Sequence, residues 1–238
     1  MTVGTRNEER GRRDRDSTFK VDPPQSGFAN MAADAHLLEA AEGGEMGCRV
    51  YSWDGPWISL GKQQLAERDL LDPNLVPWVM RPTGGKAVLH GHDVTVGLAL
   101  PLAVLAEDGE SLSRSVRKVY RRIAAPLVAA LNDCGICAAL GEDTPFARRG
   151  VRSADCFAHV SANDIVDART GLKVCGCALR LTATAVLVQA SIPNGRPLVD
   201  PQEVFAIPQS PACMEWEGEG FSEALWARLV EAFALCDA

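Results

Sequence analysis

Apolar residues recur along the chain with two periods, and each period predicts a different kind of element. Alternating or short unbroken apolar runs predict strands, whereas apolar positions three and four residues apart predict helices. The predicted strands are 49–53, 57–60, 78–81, 87–90, 94–100, 164–166, 173–180 and 183–192. Three helices are predicted. The first begins near Asn30, which is its N-cap, the second spans 111–132, and the third covers 221–236. Pro126 should kink or divide the second helix, and Gly135 should end it.

The order of these elements indicates the fold class. The strands come in groups flanked by a few helices, which favours an α+β fold with a mixed or antiparallel sheet over a regular strand–helix alternation. Residues 1–18 alternate basic and acidic side chains with almost nothing apolar, so we expect a disordered tail there. With 47% hydrophobic residues, positions 19–238 suffice for one large domain.

Composition and charge narrow the class of function. A net charge of −7 argues against a broad nucleic-acid surface, which needs a strongly basic face. No apolar run approaches a membrane-spanning length, and the N-terminus has no apolar secretory segment. We therefore expect a cytoplasmic protein with neither a nucleic-acid nor a membrane partner.

Eight cysteines raise the question of a metal site. Cys134 and Cys137 form a CxxC pair, and Cys175 and Cys177 form a CxC pair. Structural zinc sites usually sit on turn-rich knuckles, whereas this CxC lies inside a strand-like run. The pattern favours reduced thiols that pack as small hydrophobes, with no metal.

The segment with the most chemical information is the Gly-Gly turn within Arg81–His90. It reads Arg-Pro-Thr-Gly-Gly-Lys-Ala-Val-Leu-His, a strand end followed by a turn and a returning strand. Glycines there would let a ligand lie directly on backbone N–H groups. The spacing matches neither a phosphate-binding P-loop nor a dinucleotide fingerprint, and taken alone it fits a plain hairpin.

The wider string resembles the signature loop of the lipoate–protein ligase and octanoyltransferase family, in the version where a basic residue replaces the third glycine. The resemblance extends over roughly 19–236 and implies a catalytic domain like that of biotin and lipoate protein ligases. Departures are Gly91 where many relatives have Asp, Cys177 where Ser is usual, and Ala190-Ser191 directly after Gln189, where His-Gly-Ser is common. Further segments in the family's order are Asn30–Asp34, Trp57–Gln64, Asp93–Thr95, Cys156–Ser161, Asp164–Val166, Gly171–Val174, Gly176–Arg180 and Gln189–Ile192.

The resemblance also implies the site residues. Cys156 matches the nucleophile of the octanoyltransferase branch, and Lys173 matches the active-site lysine, which would stabilise an oxyanion or an adenylate phosphate. His90 and His159 are the candidates for proton transfer. The expected substrate-binding residues are Arg81, Thr83, Gly84, Gly85, His90, Gly176 and Ala178. The basic cluster Arg148, Arg149 and Arg152 either steers an acidic acyl carrier protein or is simply a solvated loop.

The implied activity is octanoyl transfer through a cysteine thioester, without a cofactor. The donor would be octanoyl-acyl carrier protein, and the acceptor a lysine of a lipoyl domain or a glycine-cleavage carrier protein. One alternative is an ATP-dependent lipoate–protein ligase, which would use ATP and Mg to form an acyl-adenylate. Another is a non-catalytic paralogue that binds an acyl group or a carrier domain. Roughly 45 residues follow the last core strand, too few for the accessory domain of many ligases.

Overall fold

A computed structural model of the chain describes residues 17–105, 115–147 and 152–233. Within these ranges, the strands are β1 (Ser17–Val21), β2 (Met46–Tyr51), β3 (Trp57–Leu60), β4 (Trp78–Met80), β5 (Val88–His90), β6 (Asp93–Pro101), β7 (Ala138–Leu140), β8 (Ile165–Asp167), β9 (Lys173–Leu181) and β10 (Ala185–Pro193). The α-helices are α1 (Gly27–Glu42), α2 (Ala66–Asp69), α3 (Val116–Asp133), α4 (Pro201–Val204) and α5 (Phe221–Phe233).

The strands form two sheets, one large and one small. The large sheet has seven strands in the order β1-β2-β6-β10-β9-β8-β7, and the small sheet has the order β4-β3-β5. β1 pairs with β2 in parallel, and β4 pairs with β3 in parallel, whereas the other pairs are antiparallel. This mixed sheet with flanking helices confirms the predicted α+β class.

The two faces of the large sheet bury different sets of side chains. α3 and α5 cover one face, where Leu127 and Leu225 join the main apolar core. α1 covers the other face, where Leu38 packs on Leu187. Because successive side chains of a strand point to opposite faces, β10 buries Val188 and Ala190 under α3 and sends Gln189 and Ser191 the other way.

The start of α1 differs from the sequence prediction. α1 begins at Gly27, because the Ser26 side chain accepts a hydrogen bond from the Ala29 N–H and caps the helix. Asn30, the predicted cap, instead lies one turn inside the helix and donates from its amide to the carbonyls of Gln25 and Ser52. The predicted cap was therefore wrong, since Asn30 ties α1 to the strand end beside it.

Of the two effects predicted for Pro126, a division of the helix is wrong, because α3 runs from Val116 to Asp133 with Pro126 inside it. Burial of Ile123, Leu127 and Leu131 in the main core holds the helix together on both sides of the proline. Gly135 adopts a φ of +83° directly after the helix, as its predicted terminating role requires. The predicted helix residues 111–114 and 234–236 lie outside the described residues.

Short elements account for the strands and helices that periodicity missed. β1 begins at Ser17, so Ser17 and Thr18 belong to the large sheet, and positions 1–16 of the predicted tail lie outside the described residues. β7, α2 and α4 were also not predicted. In the described part of the chain, the helices are too short or too polar to cross a membrane.

Candidate active site

A pocket lies between the small sheet and the face of the large sheet that α1 covers. Its residues come from both sheets, from α1, from the Gly-Gly loop and its flanks, and from the loop that carries Cys156: Met31, Tyr51, Trp53, Ser59, Arg81, Gly85, Lys86, Val88, His90, Thr95, Cys156, Gly176, Cys177, Ala178, Gln189, Ala190 and Ser191.

A short backbone bridge places Cys156 in this pocket. Ala87, just after the Gly-Gly turn, pairs with Asp155 in parallel, and the Ala87 N–H donates to the Ala154 carbonyl at 2.9 Å. The Cys156 N–H in turn donates to the Ala87 carbonyl at 2.8 Å. The signature loop and the predicted nucleophile, about 70 residues apart in sequence, are therefore held together by main-chain hydrogen bonds.

Lys173 stands behind Cys156 at the start of β9. Its Nζ is 3.2 Å from the Cys156 Sγ, 2.7 Å from the Cys156 carbonyl oxygen and 2.9 Å from an oxygen of Asp164. Burial alone would lower the pKa of Lys173, but the negative charges of Cys156 and Asp164 outweigh it and raise the pKa above its usual value. Lys173 is therefore a buried ammonium fixed against the thiol.

The backbone of β9 passes directly beside this pair. A side chain at Gly176 would place its Cβ 3.0 Å from the Cys156 Sγ and 3.4 Å from the Lys173 Cε. Glycine at this position thus lets the thiol and the ammonium approach the strand, as the prediction of Gly176 as a site residue requires. Ala178, two residues further along, also lines the pocket.

The Arg81 side chain fixes the conformation of the signature loop by hydrogen bonds to backbone carbonyls. Its guanidinium donates to the carbonyls of Gly84, Lys86 and Ser59, at 2.5, 2.7 and 2.8 Å. Burial lowers the pKa of Arg81 to about 10, so the group remains charged at neutral pH. Arg81 itself lines the pocket.

Only part of the predicted glycine turn faces the pocket. Gly85 lines it with a φ of +89°, whereas Thr83 and Gly84 do not line it. The Thr83 hydroxyl is fully buried and donates to the Gln189 side-chain oxygen at 2.6 Å, while the Gly84 carbonyl is bound by Arg81. Both residues shape the loop from behind.

His90 is part of a fully paired cluster. One ring nitrogen is 2.7 Å from Asp93 and the other is 2.8 Å from the Ser59 hydroxyl, and the ring stacks on Trp53 at 3.9 Å between centroids. Burial alone would raise the pKa of Asp93, but His90 and a hydrogen bond from Ser191 lower it to about 2. The His90 ring is therefore held on both sides, by a carboxylate and by a hydroxyl.

Lys86 presents the opposite situation. Its Nζ is shielded from solvent and has no hydrogen-bond partner among the described residues, although the side chain lines the pocket. Burial lowers the pKa of Lys86, and the negative charge of Cys156 is the largest opposing influence. The sequence showed that a basic residue lies in the loop, but not that its ammonium would lack a hydrogen-bond partner among the described residues.

The remaining sequence candidates that the structure describes, His159 and Arg152, do not line the pocket. His159 is half-buried and does not line it, and Arg152 is exposed. Arg148 and Arg149 lie outside the described residues. Cys48 and Cys175 are buried in the main core, which confirms their predicted packing role. Within the described ranges, no cluster of three or more His, Cys, Asp or Glu side chains could hold a metal.

Sequence reasoning did not find the acid that pairs with Lys173 or the polar chain behind the loop. Asp164 precedes β8 and accepts hydrogen bonds from the Ser161 N–H and hydroxyl at 2.6 and 2.7 Å, which orient it toward Lys173. Gln189 donates to Asp34 at 2.6 Å and so links Thr83 to α1. The only signal for Asp164 was its place in an Asp-Ile-Val segment of the family order.

This geometry agrees with comparisons to known proteins. Residues 26–196 match the model of the lipoyl protein ligase A/B catalytic domain. The chain belongs to this family. It is 35% identical over 176 residues to the octanoyltransferase LipM of an Exiguobacterium species, covering 69% of this chain and 60% of that protein. It is 31% identical over 192 residues to the octanoyltransferase LipM of Kyrpidia tusciae, covering 77% and 66%.

The fold of a lipoyl protein ligase catalytic domain is seen in solved structures as well. A structure of a bi-partite lipoate protein ligase and its E2 lipoyl domain from Thermoplasma acidophilum aligns with a TM-score of 0.68 at 16% identity, covering 94% of this chain and 86% of that one. This likeness concerns the fold alone. The chain spans about 60 to 66% of the length of the two LipM relatives.

Proposed function

We propose that this catalytic domain transfers an octanoyl group from a carrier thioester to a lysine amine through a thioester on Cys156. The observation that carries the proposal is the contact of 3.2 Å between the Lys173 Nζ and the Cys156 Sγ in a pocket beside the Gly-Gly loop. The Lys173 ammonium lies against the sulfur, where it can pair with negative charge, and the thiolate is the nucleophilic form of a cysteine. The LipM relatives carry the name octanoyltransferase, which supports the same reaction.

The first half-reaction follows from that geometry. The Cys156 thiolate attacks the carbonyl carbon of the donor thioester, and a new S–C bond forms while negative charge moves to the carbonyl oxygen. Collapse of this intermediate breaks the donor C–S bond and releases the donor as a thiolate. We propose octanoyl-acyl carrier protein as the donor, because its acyl thioester already supplies the activation that a ligase would take from ATP.

The second half-reaction regenerates the enzyme. The neutral amine of the acceptor lysine attacks the Cys156 thioester, a C–N bond forms, the C–S bond breaks and the amine proton passes to solvent. Lys173 stabilises the thiolate that leaves, since its ammonium stays within 3.2 Å of the sulfur. The acceptor we propose is a lipoyl domain or a glycine-cleavage carrier protein. The Thermoplasma ligase with its E2 lipoyl domain supports an acceptor of this class.

The proposal is tested by intact mass spectrometry. The purified protein is incubated with octanoyl-acyl carrier protein and without ATP, beside the Cys156→Ala variant. An octanoyl adduct on the unmodified protein and none on the variant supports the thioester route. A protein that stays bare, but modifies a carrier domain when ATP, Mg and free octanoate are supplied, would contradict it and favour a lipoate–protein ligase. Tight carrier binding without turnover in either assay would favour a non-catalytic paralogue.

A further inference from the structure

The ammonium of Lys173 has no hydrogen-bonding capacity left for a substrate. A lysine ammonium has three N–H donors. Those of Lys173 are directed at the Asp164 carboxylate at 2.9 Å, the Cys156 carbonyl at 2.7 Å and the Cys156 Sγ at 3.2 Å. If Lys173 turned toward an acyl carbonyl, it would leave the buried Asp164 or the thiolate unpaired, which is costly. Another group must therefore receive the negative charge of the acyl oxygen.

The Lys86 ammonium has that capacity. It lines the same pocket as Cys156, and its Nζ is screened from solvent and has no partner in the described part of the chain. The bridge between Ala87 and Asp155 aligns the two segments side by side. Because side chains alternate along an extended segment, the neighbours Lys86 and Cys156 project to the same side of this bridge.

The loop around Lys86 is rigid enough to hold a catalytic group. The Lys86 carbonyl accepts a hydrogen bond from Arg81 at 2.7 Å, and the next residue, Ala87, is fixed by two main-chain hydrogen bonds. A shielded ammonium without a partner is unfavourable in the resting protein, but it costs nothing to reorganise when negative charge develops beside it. This arrangement suits a group that acts in the transition state.

We propose that Lys86 is a further catalytic residue, whose ammonium binds the acyl carbonyl oxygen as it becomes negative during attack by Cys156. The proposal rests on the proposed function for the nature of the acyl transfer. The two lysines then have different roles: Lys173 pairs with the sulfur of Cys156, and Lys86 pairs with the acyl oxygen. No proton changes hands at Lys86, because it acts as a cation throughout.

The test compares two reactions of the Cys156 sulfur, of which only one forms a negatively charged oxygen in its transition state. Acylation by p-nitrophenyl octanoate passes through an oxyanion and releases p-nitrophenolate, whereas alkylation by iodoacetamide displaces iodide without any oxyanion. We expect Lys86→Met to slow acylation by about 10²-fold, the usual effect of losing one oxyanion donor, and to leave alkylation within about twofold. Lys86→Arg should recover acylation to within about tenfold of the unmodified protein. Lys62→Met, which removes an exposed lysine near the loop, is the matched control and should change neither rate.

Each other outcome overturns the proposal. Equal slowing of both reactions would mean that Lys86 acts on the thiolate, and an unchanged acylation rate would mean that it has no catalytic role. A Lys86→Arg variant as slow as Lys86→Met would show that the cation is not what matters. Failure of the proposed donor is separate, since it would appear as acylation of Cys156 by the nitrophenyl ester but not by octanoyl-acyl carrier protein.

Discussion

The two walls of the pocket use buried polar groups in opposite ways. On one wall, His90, Asp93, Ser59, Ser191 and Thr95 pair with one another. On the other wall, Cys156 presents its thiol to the pocket and Lys86 has a shielded ammonium without a partner in the described residues. A satisfied network resists rearrangement, whereas a group with unused capacity can bind a substrate. The comparison assigns the first wall to structure and the second to chemistry.

The largest expected effect is that of Cys156→Ala. Removal of the nucleophile should abolish the acyl adduct and lower the rate of transfer to a carrier domain by at least about 10³-fold. Cys213→Ala, which removes a half-buried thiol outside this pocket, is the control and should keep the rate within about twofold. Substantial transfer by Cys156→Ala would contradict the assignment of the chemistry to the wall that holds Cys156 and Lys86.

The next largest effect should come from Lys173→Met, with about 10²-fold slower alkylation of Cys156 by iodoacetamide at neutral pH, because the thiolate loses its ammonium. This variant leaves the buried carboxylate of Asp164 unpaired, at a cost of about 3 kcal/mol or more in the free energy of unfolding. The double variant Lys173→Met with Asp164→Asn should recover that stability but not the alkylation rate. Recovery of both would mean that Lys173 has only a structural role.

A smaller effect is expected from Gly176→Ala. The new methyl group would lie 3.0 Å from the Cys156 Sγ and must displace the sulfur by a few tenths of an ångström. We expect acylation to slow by about tenfold, since small errors in the position of a reacting atom are costly. Gly55→Ala, where a methyl group would meet nothing within 4 Å, is the control. An unchanged rate in Gly176→Ala would show that the position of the sulfur is less constrained than its contacts indicate.

On the structural wall, Asp93→Asn should change stability rather than chemistry. The pKa of Asp93 is about 2 in the fold against an ordinary value of 3.8, so the carboxylate stabilises the fold above pH 3.8 and loses that contribution as the pH falls toward 2. The variant should lose about 2 kcal/mol at pH 7, and the difference should vanish near pH 2. Urea unfolding at several pH values measures this. If the loss in the free energy of unfolding did not depend on pH, the Asp93 carboxylate charge would not be what stabilises this wall.

The long elements could be predicted because burial imposes their period. β6, β9 and β10 have nine residues each, and α5 places Phe221, Leu225 and Leu229 on one stripe. The five residues of β1 and the three of β7 exist because they pair with β2 and β8, and that pairing leaves little trace in their own composition. Pro126 is tolerated inside α3 for a similar reason, since tertiary packing outweighs local preference.

The sequence predicted which residues form the site, but not the contacts that each of them makes. The resemblance gave Cys156 and Lys173, and the structure brings them together as expected. The resemblance could not give the hydrogen-bond partners of each side chain, because those depend on contacts between segments far apart in the sequence. Both ring nitrogens of His90 are hydrogen-bonded, whereas the Lys86 ammonium has no partner among the described residues, although both side chains belong to the same ten-residue string.

The central claim, a thioester on Cys156 that passes to a carrier lysine, is tested most directly by a chase experiment. The octanoylated protein is isolated from excess donor and mixed with an unmodified lipoyl domain, without ATP, and both masses are followed with time. The account predicts that the domain gains one octanoyl group as the protein loses one, at matching rates. A stable octanoylated protein beside an unmodified domain would contradict it.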